Sequence, residues 1–314
     1  MGTGPFAVPS FEALLRSEHE VCAVVTKPEP PVKSRKGPPP APVRKWAESN
    51  GFVCLDPISI NATEAVKVLA ELGGDLLVVC DYGQILKPEP LAATKLGGIN
   101  LHGSLLPKFR GAAPVQRALL EGESETGVTV IHMTPKLDGG PVLGARSIAI
   151  TDLETAGELE ERLSRLGVEL VLECVGRLAN WDGNEALGEL QDSSAATRAP
   201  RLSKSEAEID FTRTFREISC HVRGMQPWPI AFSHLKTHPR RPPLRVAVLE
   251  VSPADPVAEL VEPGQIAGGK RLIVSIGDGA MEIRRIRPAG KREMTGEEFA
   301  RGYQLAAGTC FQSA

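Results

Sequence analysis

The chain lacks the features that mark secreted, membrane-bound or zinc-stapled proteins. No apolar run approaches the roughly 20 residues of a membrane span, and the first residues do not show the charged-then-apolar order of a secretory signal. The six cysteines are scattered without a Cys-x-x-Cys pair, which argues against a zinc site and fits buried thiols in a reducing cytosol. We therefore expect a cytoplasmic protein.

A positive net charge is also absent. The chain carries −3 overall, which by itself argues against a nucleic-acid partner. The total hides an asymmetry, because residues 211–314 contain 15 Lys and Arg against 10 Asp and Glu, a net +5, and the remainder contains 21 against 29, a net −8. A basic C-terminal part on an acidic body fits a binding surface for a polyanion. Ordinary variation between protein surfaces explains the same asymmetry equally well, so charge alone leaves both interpretations open.

The first half of the chain contains short apolar runs that alternate with helical patterns. The predicted strands are Val21–Val25, Asp75–Cys80, Gly98–Leu101, Val128–His132 and Val142–Ile150. The predicted helices are Ala41–Asn50, Ala62–Leu72, Ala113–Leu120 and a long one over about 153–178. This alternation predicts an α/β fold with a doubly wound, mostly parallel, Rossmann-like sheet that is covered on both faces.

The composition changes in the second half. Residues 183–204 are rich in small and polar residues and lose periodicity, which predicts a linker. Short β runs broken by Gly and Pro follow, and they are typical of a small antiparallel, OB-like β-barrel. We therefore expect one domain over residues 1–182 and a second over 205–314.

The N-terminus is unusual for the predicted fold. Gly2–Ala7 looks like the turn after a first strand, yet only Met1 stands before it. The opening strand of a doubly wound sheet is usually central and buried. We expect the true start to lie upstream and to add an apolar run of about five or six residues.

Polar side chains with catalytic chemistry follow two of the predicted strands. Asn100 and His102 end the third run, and Asp138 lies in a Gly-flanked loop between the last two. Because loops at the carboxyl ends of parallel strands bind ligands in such sheets, all three can face one crevice. Acyl transfer needs an amide donor for an oxyanion, an imidazole that carries protons and a carboxylate that orients it. Taken singly, a structural role for His102 and a turn role for Asp138 remain open.

The residues around this constellation closely resemble the methionyl-tRNA formyltransferase family. The resemblance is strongest over Asn100–Arg117 and continues in Arg201–Asp210, Pro227–Pro229 and Pro288–Arg292. It covers nearly the whole chain, from about Gly2 to Tyr303, and it favours the catalytic interpretation of the constellation over the structural ones.

The resemblance implies an activity and a set of site residues. Members of the family transfer the formyl group of 10-formyltetrahydrofolate to the α-amine of methionine on initiator tRNA. Their catalytic Asn, His and Asp correspond to Asn100, His102 and Asp138, and no metal is implied. Their folate-binding residues correspond to Ser104, Leu105, Leu106, Pro107, Tyr82, Gly83 and Ile85.

Two basic segments are candidates for tRNA contacts. Lys33, Arg35 and Lys36 lie in a Pro-rich stretch that resembles the family's basic insertion, which reaches the acceptor stem; a stiff solvated linker is the alternative. Arg285 and Arg287 share one face of a predicted strand and are spaced to follow phosphates; solvated barrel charges are the alternative. We expect a monomer that binds initiator methionyl-tRNA.

The chain departs from the family pattern at two places. The run Met133–Gly140 lacks a Thr that the family commonly has after the catalytic Asp, which affects the rigidity of this loop. Asp81 stands where Ala is usual, and it adds a negative charge near the pterin pocket.

Three other assignments remain open. Formyltransferases that act on glycinamide ribonucleotide or amino sugars share the Asn, His and Asp but generally lack the basic insertion or this C-terminal domain. Gly2-x-Gly4-x-x-Ala7 suggests a dinucleotide oxidoreductase, although no acidic residue ends the following strand at Val25–Lys27 to bind a ribose. An inactive RNA-binding paralogue fits the missing first strand but not the intact triad.

Overall fold

A computed structural model of the protein describes residues 1–29, 41–181, 187–236, 242–255 and 262–312. The chain forms two compact units. Unit 1 contains residues 1–115, 125–149 and 159–200, and unit 2 contains residues 116–124, 150–158 and 201–314. Among the described residues, no helix combines the length and the apolarity that crossing a bilayer requires.

Short strands and helices alternate up to residue 199. In chain order they are α1 Val8–Leu15, β1 Val24–Val25, α2 Pro42–Ser49, β2 Cys54–Leu55, α3 Thr63–Glu71, β3 Leu77–Cys80, α4 Pro88–Leu91, β4 Gly98–His102, β5 Arg110–Gly111, α5 Pro114–Leu120, β6 Glu125–His132, β7 Val142–Ala149, α6 Ala156–Ala179 and β8 Arg198–Ala199. Each of the five predicted strand runs of the first half therefore overlaps an observed strand.

The strands of unit 1 are parallel on one side and antiparallel on the other. β1 pairs with β2 in parallel, and β3 pairs with β4 in parallel. β6 and β7 then extend the second sheet in antiparallel fashion, in the order β3-β4-β6-β7. The predicted Rossmann-like α/β class is confirmed. The antiparallel extension was not predicted, because an apolar run indicates a buried strand without indicating its direction.

Helix α6 packs closely on the sheet. A Cβ atom on Gly167 would lie 2.6 Å from Cδ2 of Leu101, so glycine at this position lets the helix approach β4 without displacing the Leu101 side chain. Leu163 and Leu170 of the same helix are fully buried. The helix therefore fixes the back of the strand that carries Asn100 and His102.

The first two residues lie between β1 and β3. The amino group of Met1 donates to Val78 O at 2.7 Å, and Met1 O accepts from Cys80 N at 3.0 Å. On the other side, Gly2 N donates to Val25 O at 2.9 Å. This is the place where the sequence analysis expects a first strand. The prediction of an upstream start is not tested by these contacts.

Within the predicted linker, residues 183–204, the structure describes the chain from residue 187 onwards. Residues 187–199, here called the strap, belong to unit 1 and are held by main-chain hydrogen bonds. Val142 and Glu189 exchange two of these bonds, at 2.7 and 2.9 Å, and β8 pairs in parallel with β5. Composition does not reveal such bonds, because they use backbone groups that every residue except proline carries.

Unit 2 is built mainly on one antiparallel sheet. Its remaining elements are α7 Phe215–Gly224, β9 Phe232–Leu235, β10 Leu244–Ala254, β11 Ile273–Ile276, β12 Gly279–Pro288, β13 Met294–Thr295, α8 Gly296–Gly302 and β14 Phe311–Gln312. The sheet order is β11-β12-β10-β9-β14, with β13 beside β12. Thr214 and Thr295 begin α7 and α8 with complete capping boxes. The predicted antiparallel, OB-like domain is confirmed.

Candidate active site

Two parallel strands of unit 1 deliver the candidate residues to one edge of the sheet. β3 ends opposite β4, with Cys80 in register with Leu101, so the loops that follow both strands start side by side. Asn100 and His102 are two residues apart on β4 and therefore share a face of the sheet. Asn100 is half-buried, and the His102 side chain is almost fully buried.

The protonation of neutral His102 follows from its hydrogen bond. Its Nε2 atom lies 2.9 Å from Phe109 O. A carbonyl oxygen can only accept, so Nε2 must carry the proton and donate it. The lone pair of the neutral ring is then on Nδ1, which lies 3.8 Å from Oδ2 of Asp138. His102 is therefore arranged to accept a proton at Nδ1, on the side that faces the carboxylate.

Asp138 is held in place by its neighbours in the fold. Gly111 N donates to its Oδ2 at 2.8 Å, and its backbone adopts a left-handed conformation with φ of 46°. Asp tolerates this conformation better than most residues do. The loop is tight, because a Cβ on Gly140 would lie 1.8 Å from His132 O. At 3.8 Å the carboxylate is too far for a direct hydrogen bond to His102 but close enough to stabilise a positive charge on it.

Only some of the predicted folate-binding residues in the loop after β3 are exposed. Ile85 is 62% exposed and Gly83 is exposed, whereas the Tyr82 side chain is 2% exposed and packs in an apolar cluster with Val79 and Leu86. Burial raises the pKa of Tyr82 to about 12. Among the predicted folate-binding residues, Tyr82 therefore has a ring that is buried in the core, and its main-chain carbonyl accepts from Thr3 Oγ1 at 3.0 Å.

Two polar side chains that the sequence analysis missed support this loop. Gln84 accepts from Ile60 N at 2.9 Å and donates to Pro57 O at 3.2 Å. Asn61 donates to Ile85 O at 2.9 Å. These bonds fix the backbone of the loop and leave the Ile85 side chain facing outwards.

Hydrogen bonds to Thr129 hold the main chain of the loop after β4. This fully buried residue of β6 donates to Ser104 O at 2.7 Å and accepts from Leu106 N at 3.1 Å. The Ser104 hydroxyl is buried and donates to Lys108 O at 2.7 Å. The next three predicted folate-binding residues, Leu105, Leu106 and Pro107, are half-buried. A threonine within the apolar run Val128–His132 was the only signal of this support in the sequence.

A carboxylate pair lies beside the loop after β3. Burial raises the pKa of Glu160 on α6 to about 7, and the negative charge of Asp81 adds to this effect. Asp81 itself is exposed and has a left-handed backbone with φ of 45°. The Asp81 departure from the family pattern therefore changes the ionisation of a second carboxyl group.

The candidate tRNA-binding residues divide into two sets. Lys33, Arg35 and Lys36 lie outside the described residues. Arg285 and Arg287 are both exposed on β12 with the buried Ile286 between them, so they share one face as the spacing predicts. Arg285 forms ion pairs with Glu293 and Glu250, whereas Arg287 forms no ion pair within the described part of the chain.

Comparisons with protein families and known proteins find formyltransferases that match both parts of the chain. The family described as "Formyl transferase" matches residues 1–175, and the family described as "Formyl transferase, C-terminal domain" matches residues 201–304. A methionyl-tRNA formyltransferase of Rhodopirellula baltica is 55% identical over 98% of this chain and 94% of its own length. One of Methylococcus capsulatus is 39% identical over 97% of this chain and 96% of its own length.

Solved structures share the fold at low sequence identity. A sugar 3N-formyl transferase, WlaRD, in the presence of dTDP and 5-N-formyl-THF has a TM-score of 0.64 at 18% identity and covers 93% of this chain and 97% of its own. An N-formyltransferase of Helicobacter canadensis with folinic acid and dTDP-3-aminofucose has a TM-score of 0.61 at 17% identity, over 90% and 96% of the two chains. With the identity to its relatives over nearly its whole length, the chain belongs to the methionyl-tRNA formyltransferase family.

Proposed function

We propose that the protein transfers the formyl group of 10-formyltetrahydrofolate to the α-amino group of initiator methionyl-tRNA and acts as a cytoplasmic monomer. The observation that carries the proposal is the arrangement of His102 between two fixed partners. Phe109 O accepts from Nε2, and Asp138 lies 3.8 Å from Nδ1, on the same sheet edge that Asn100 reaches.

The sheet edge fits a folate. The loops that contain Gly83, Ile85 and residues 104–107 leave adjacent strand ends, and the exposed Ile85 side chain offers an apolar surface for a flat ring. When bound, 10-formyltetrahydrofolate supplies the activated formyl group.

Asn100 supplies the oxyanion donor in this proposal. Its side-chain amide donates to the formyl oxygen as negative charge develops there. One such donor is worth about 2.7–4 kcal/mol in comparable sites, because the dipole is fixed before the charge appears. Its place on β4, paired with Val79 and Ile131 on both sides, fixes the main chain from which the amide extends.

In this proposal, His102 accepts the proton that the attacking amine loses and later donates it to the leaving group. Nδ1 takes a proton from the attacking α-amine of methionine and returns it to the nitrogen that leaves the formyl carbon. Nε2 keeps its own proton on Phe109 O throughout, so the ring does not need to turn. Asp138 stabilises the doubly protonated ring through its negative charge.

The tRNA is held by positive charge outside this site. We assign phosphate contacts to Lys33, Arg35 and Lys36 and to the face of β12 that bears Arg285 and Arg287. Arg287 contributes more than Arg285, because the Arg285 charge is already neutralised by two glutamates.

A direct assay tests the proposal. Purified full-length protein is incubated with 10-formyltetrahydrofolate and methionyl-initiator tRNA, and the esterified amino acid is analysed for formyl-methionine. Reactions without folate, with uncharged tRNA or with a nucleotide-linked amino sugar serve as controls. Formylation of the amino sugar without formylation of the tRNA would contradict the proposal.

A further inference from the structure

Gln191 of the strap connects the loop that carries Asp138 to strand β5. Its Nε2 donates to Asp138 O and to Gly140 O, each at 2.8 Å. Its Oε1 accepts from Arg110 Nε at 3.1 Å and from Arg110 Nη2 at 2.6 Å. The half-buried amide thus links β5 to the loop between β6 and β7.

The direction of each bond is fixed by chemistry. Arginine can only donate, and the two carbonyl oxygens can only accept, so Oε1 must face Arg110 and Nε2 must face the loop. Both hydrogens and both lone pairs of the amide are used. No other standard side chain of this length offers two donors and two acceptors in this arrangement.

The bonds act on the backbone that aims the catalytic carboxylate. Asp138 has a left-handed φ of 46°, and its carbonyl is one of the two that Gln191 holds. Its side chain is held separately by Gly111 N, the neighbour of Arg110 on β5. Gln191 therefore fixes the main chain of Asp138 relative to the strand that orients its Oδ2.

The same strap also supports the partner of His102. Thr197 Oγ1 accepts from Phe109 N at 2.8 Å, and Thr197 O accepts from Arg110 N at 2.9 Å. Phe109 O is in turn the acceptor for Nε2 of His102. One continuous segment of chain thus reaches the supports of both His102 and Asp138.

We propose that Gln191 is a positioning residue that holds Asp138 at its working distance from His102. The inference rests on the proposed function, since it concerns the rate of that reaction. Displacement of a catalytic group by about 1 Å can cost a factor of about 100 in rate. Gln191 acts through the loop and has no direct contact with His102, so its loss lowers kcat and leaves both KM values within about twofold.

Two substitutions distinguish the effect of Gln191 on the position of Asp138 from its effect on the attachment of the strap to β5. Gln191→Glu keeps the bonds from Arg110 but cannot donate to the loop carbonyls. Gln191→Met has a similar size and loses all four bonds. We expect both variants to lose about 10- to 100-fold in kcat for formyl-methionyl-tRNA synthesis, while Gln191→Met, which also loses the bonds from Arg110, has the larger loss of Tm. Leu190→Ala is the matched control, because Leu190 is the preceding strap residue and is 87% exposed.

Hydrogen exchange supplies an independent measurement on the same proteins. The amides of residues 138–140 should exchange faster in both Gln191 variants than in the wild type and in Leu190→Ala. A kcat for Gln191→Glu within twofold of the wild type, or a loss of kcat that follows only the loss of Tm, would overturn the proposal. An inactive wild-type protein would instead refute the proposed function, so the two failures are distinguishable.

Discussion

At the scale of single residues, the site depends on one imidazole whose two nitrogens have different tasks. Nε2 of His102 is committed to Phe109 O, which leaves Nδ1 as the basic atom beside Asp138. The Asp138 carboxylate is held in place independently of His102, since its Oδ2 accepts from Gly111 N. In the proposed mechanism the role of Asp138 is therefore electrostatic, and we expect it to be separable from its structural role.

Asp138→Asn tests that separation. The amide oxygen of asparagine can still accept from Gly111 N, so we expect the Tm to change little. The neutral amide cannot stabilise a protonated His102, so turnover should fall by about 100-fold or more. Measurement of Tm and of kcat on the same preparation checks both parts. Turnover near the wild-type value would remove the charge of Asp138 from the mechanism.

Thr129→Val tests the support of the predicted folate loop. The substitution conserves shape but leaves Ser104 O and Leu106 N without their partner, which should cost about 1–3 kcal/mol of unfolding free energy. We expect the KM for the folate to rise more than kcat falls, as measured by initial rates and urea unfolding. Thr126→Val is the control, since Thr126 is a buried threonine on the same strand with no side-chain hydrogen bond in the described part of the chain. Equal effects of the two variants would contradict this role.

At the scale of elements, helix α6 carries Glu160, whose buried carboxyl group lowers the stability of the folded protein when it ionises near neutral pH. Its pKa is raised from 4.5 to about 7 by burial and by the charge of Asp81. The folded protein therefore binds this proton more tightly than the unfolded chain does. The resulting stability is fully present below about pH 4.5 and is lost as the pH rises through about 7.

Glu160→Gln should remove this pH dependence. We expect the variant to resemble the wild type near pH 4.5 and to be more stable at pH 8, by at most about 3 kcal/mol. Chemical denaturation at several pH values measures the difference. Glu169→Gln removes the same charge from the exposed face of α6 and serves as the control. A difference between Glu160→Gln and the wild type that does not grow with pH would contradict this account.

Some features of the candidate site can be predicted from the sequence, and others depend on how the elements pack. The proximity of His102 and Asp138 could be predicted, because loops at neighbouring strand ends meet at one edge of a sheet, and the two side chains lie 3.8 Å apart. The catalytic roles of these residues and of Asn100 stay a prediction. The contact of Gln191 could not be predicted, since its partner Asp138 is 53 residues away and the bonds go to backbone atoms. The buried orientation of the Tyr82 ring is likewise set by the packing of the folded sheet and not by the residue type.

At the scale of the whole molecule, positive charge is concentrated in the part of the chain that follows the Rossmann-like fold. Residues 211–314 carry a net +5 although the complete chain carries −3. Within this part, we propose that ion pairs with glutamates determine which arginines can contact the tRNA. The sequence predicts the shared face of Arg285 and Arg287 but not that glutamates engage only the first of them.

Arg287→Ala should weaken tRNA binding more than Arg285→Ala. Loss of one phosphate contact is expected to raise the KM for methionyl-tRNA and to reduce the salt slope of binding by about 1. The KM for the folate should not change. Arg284→Ala is the control, because Arg284 lies on the same strand as Arg285 and Arg287 and is already engaged by Glu282 and Ser252. Equal tRNA affinities for the Arg284, Arg285 and Arg287 variants would exclude this face as the contact surface.

The most direct measurement is single-turnover formylation of methionyl-initiator tRNA by the wild type and by Asn100→Ala and His102→Ala, at equal concentrations of folded protein. We predict formyl-methionine with the wild type and a rate at least about 100-fold lower with each variant. Rates for the variants that equal the wild-type rate would contradict the assignment of this sheet edge as the active site.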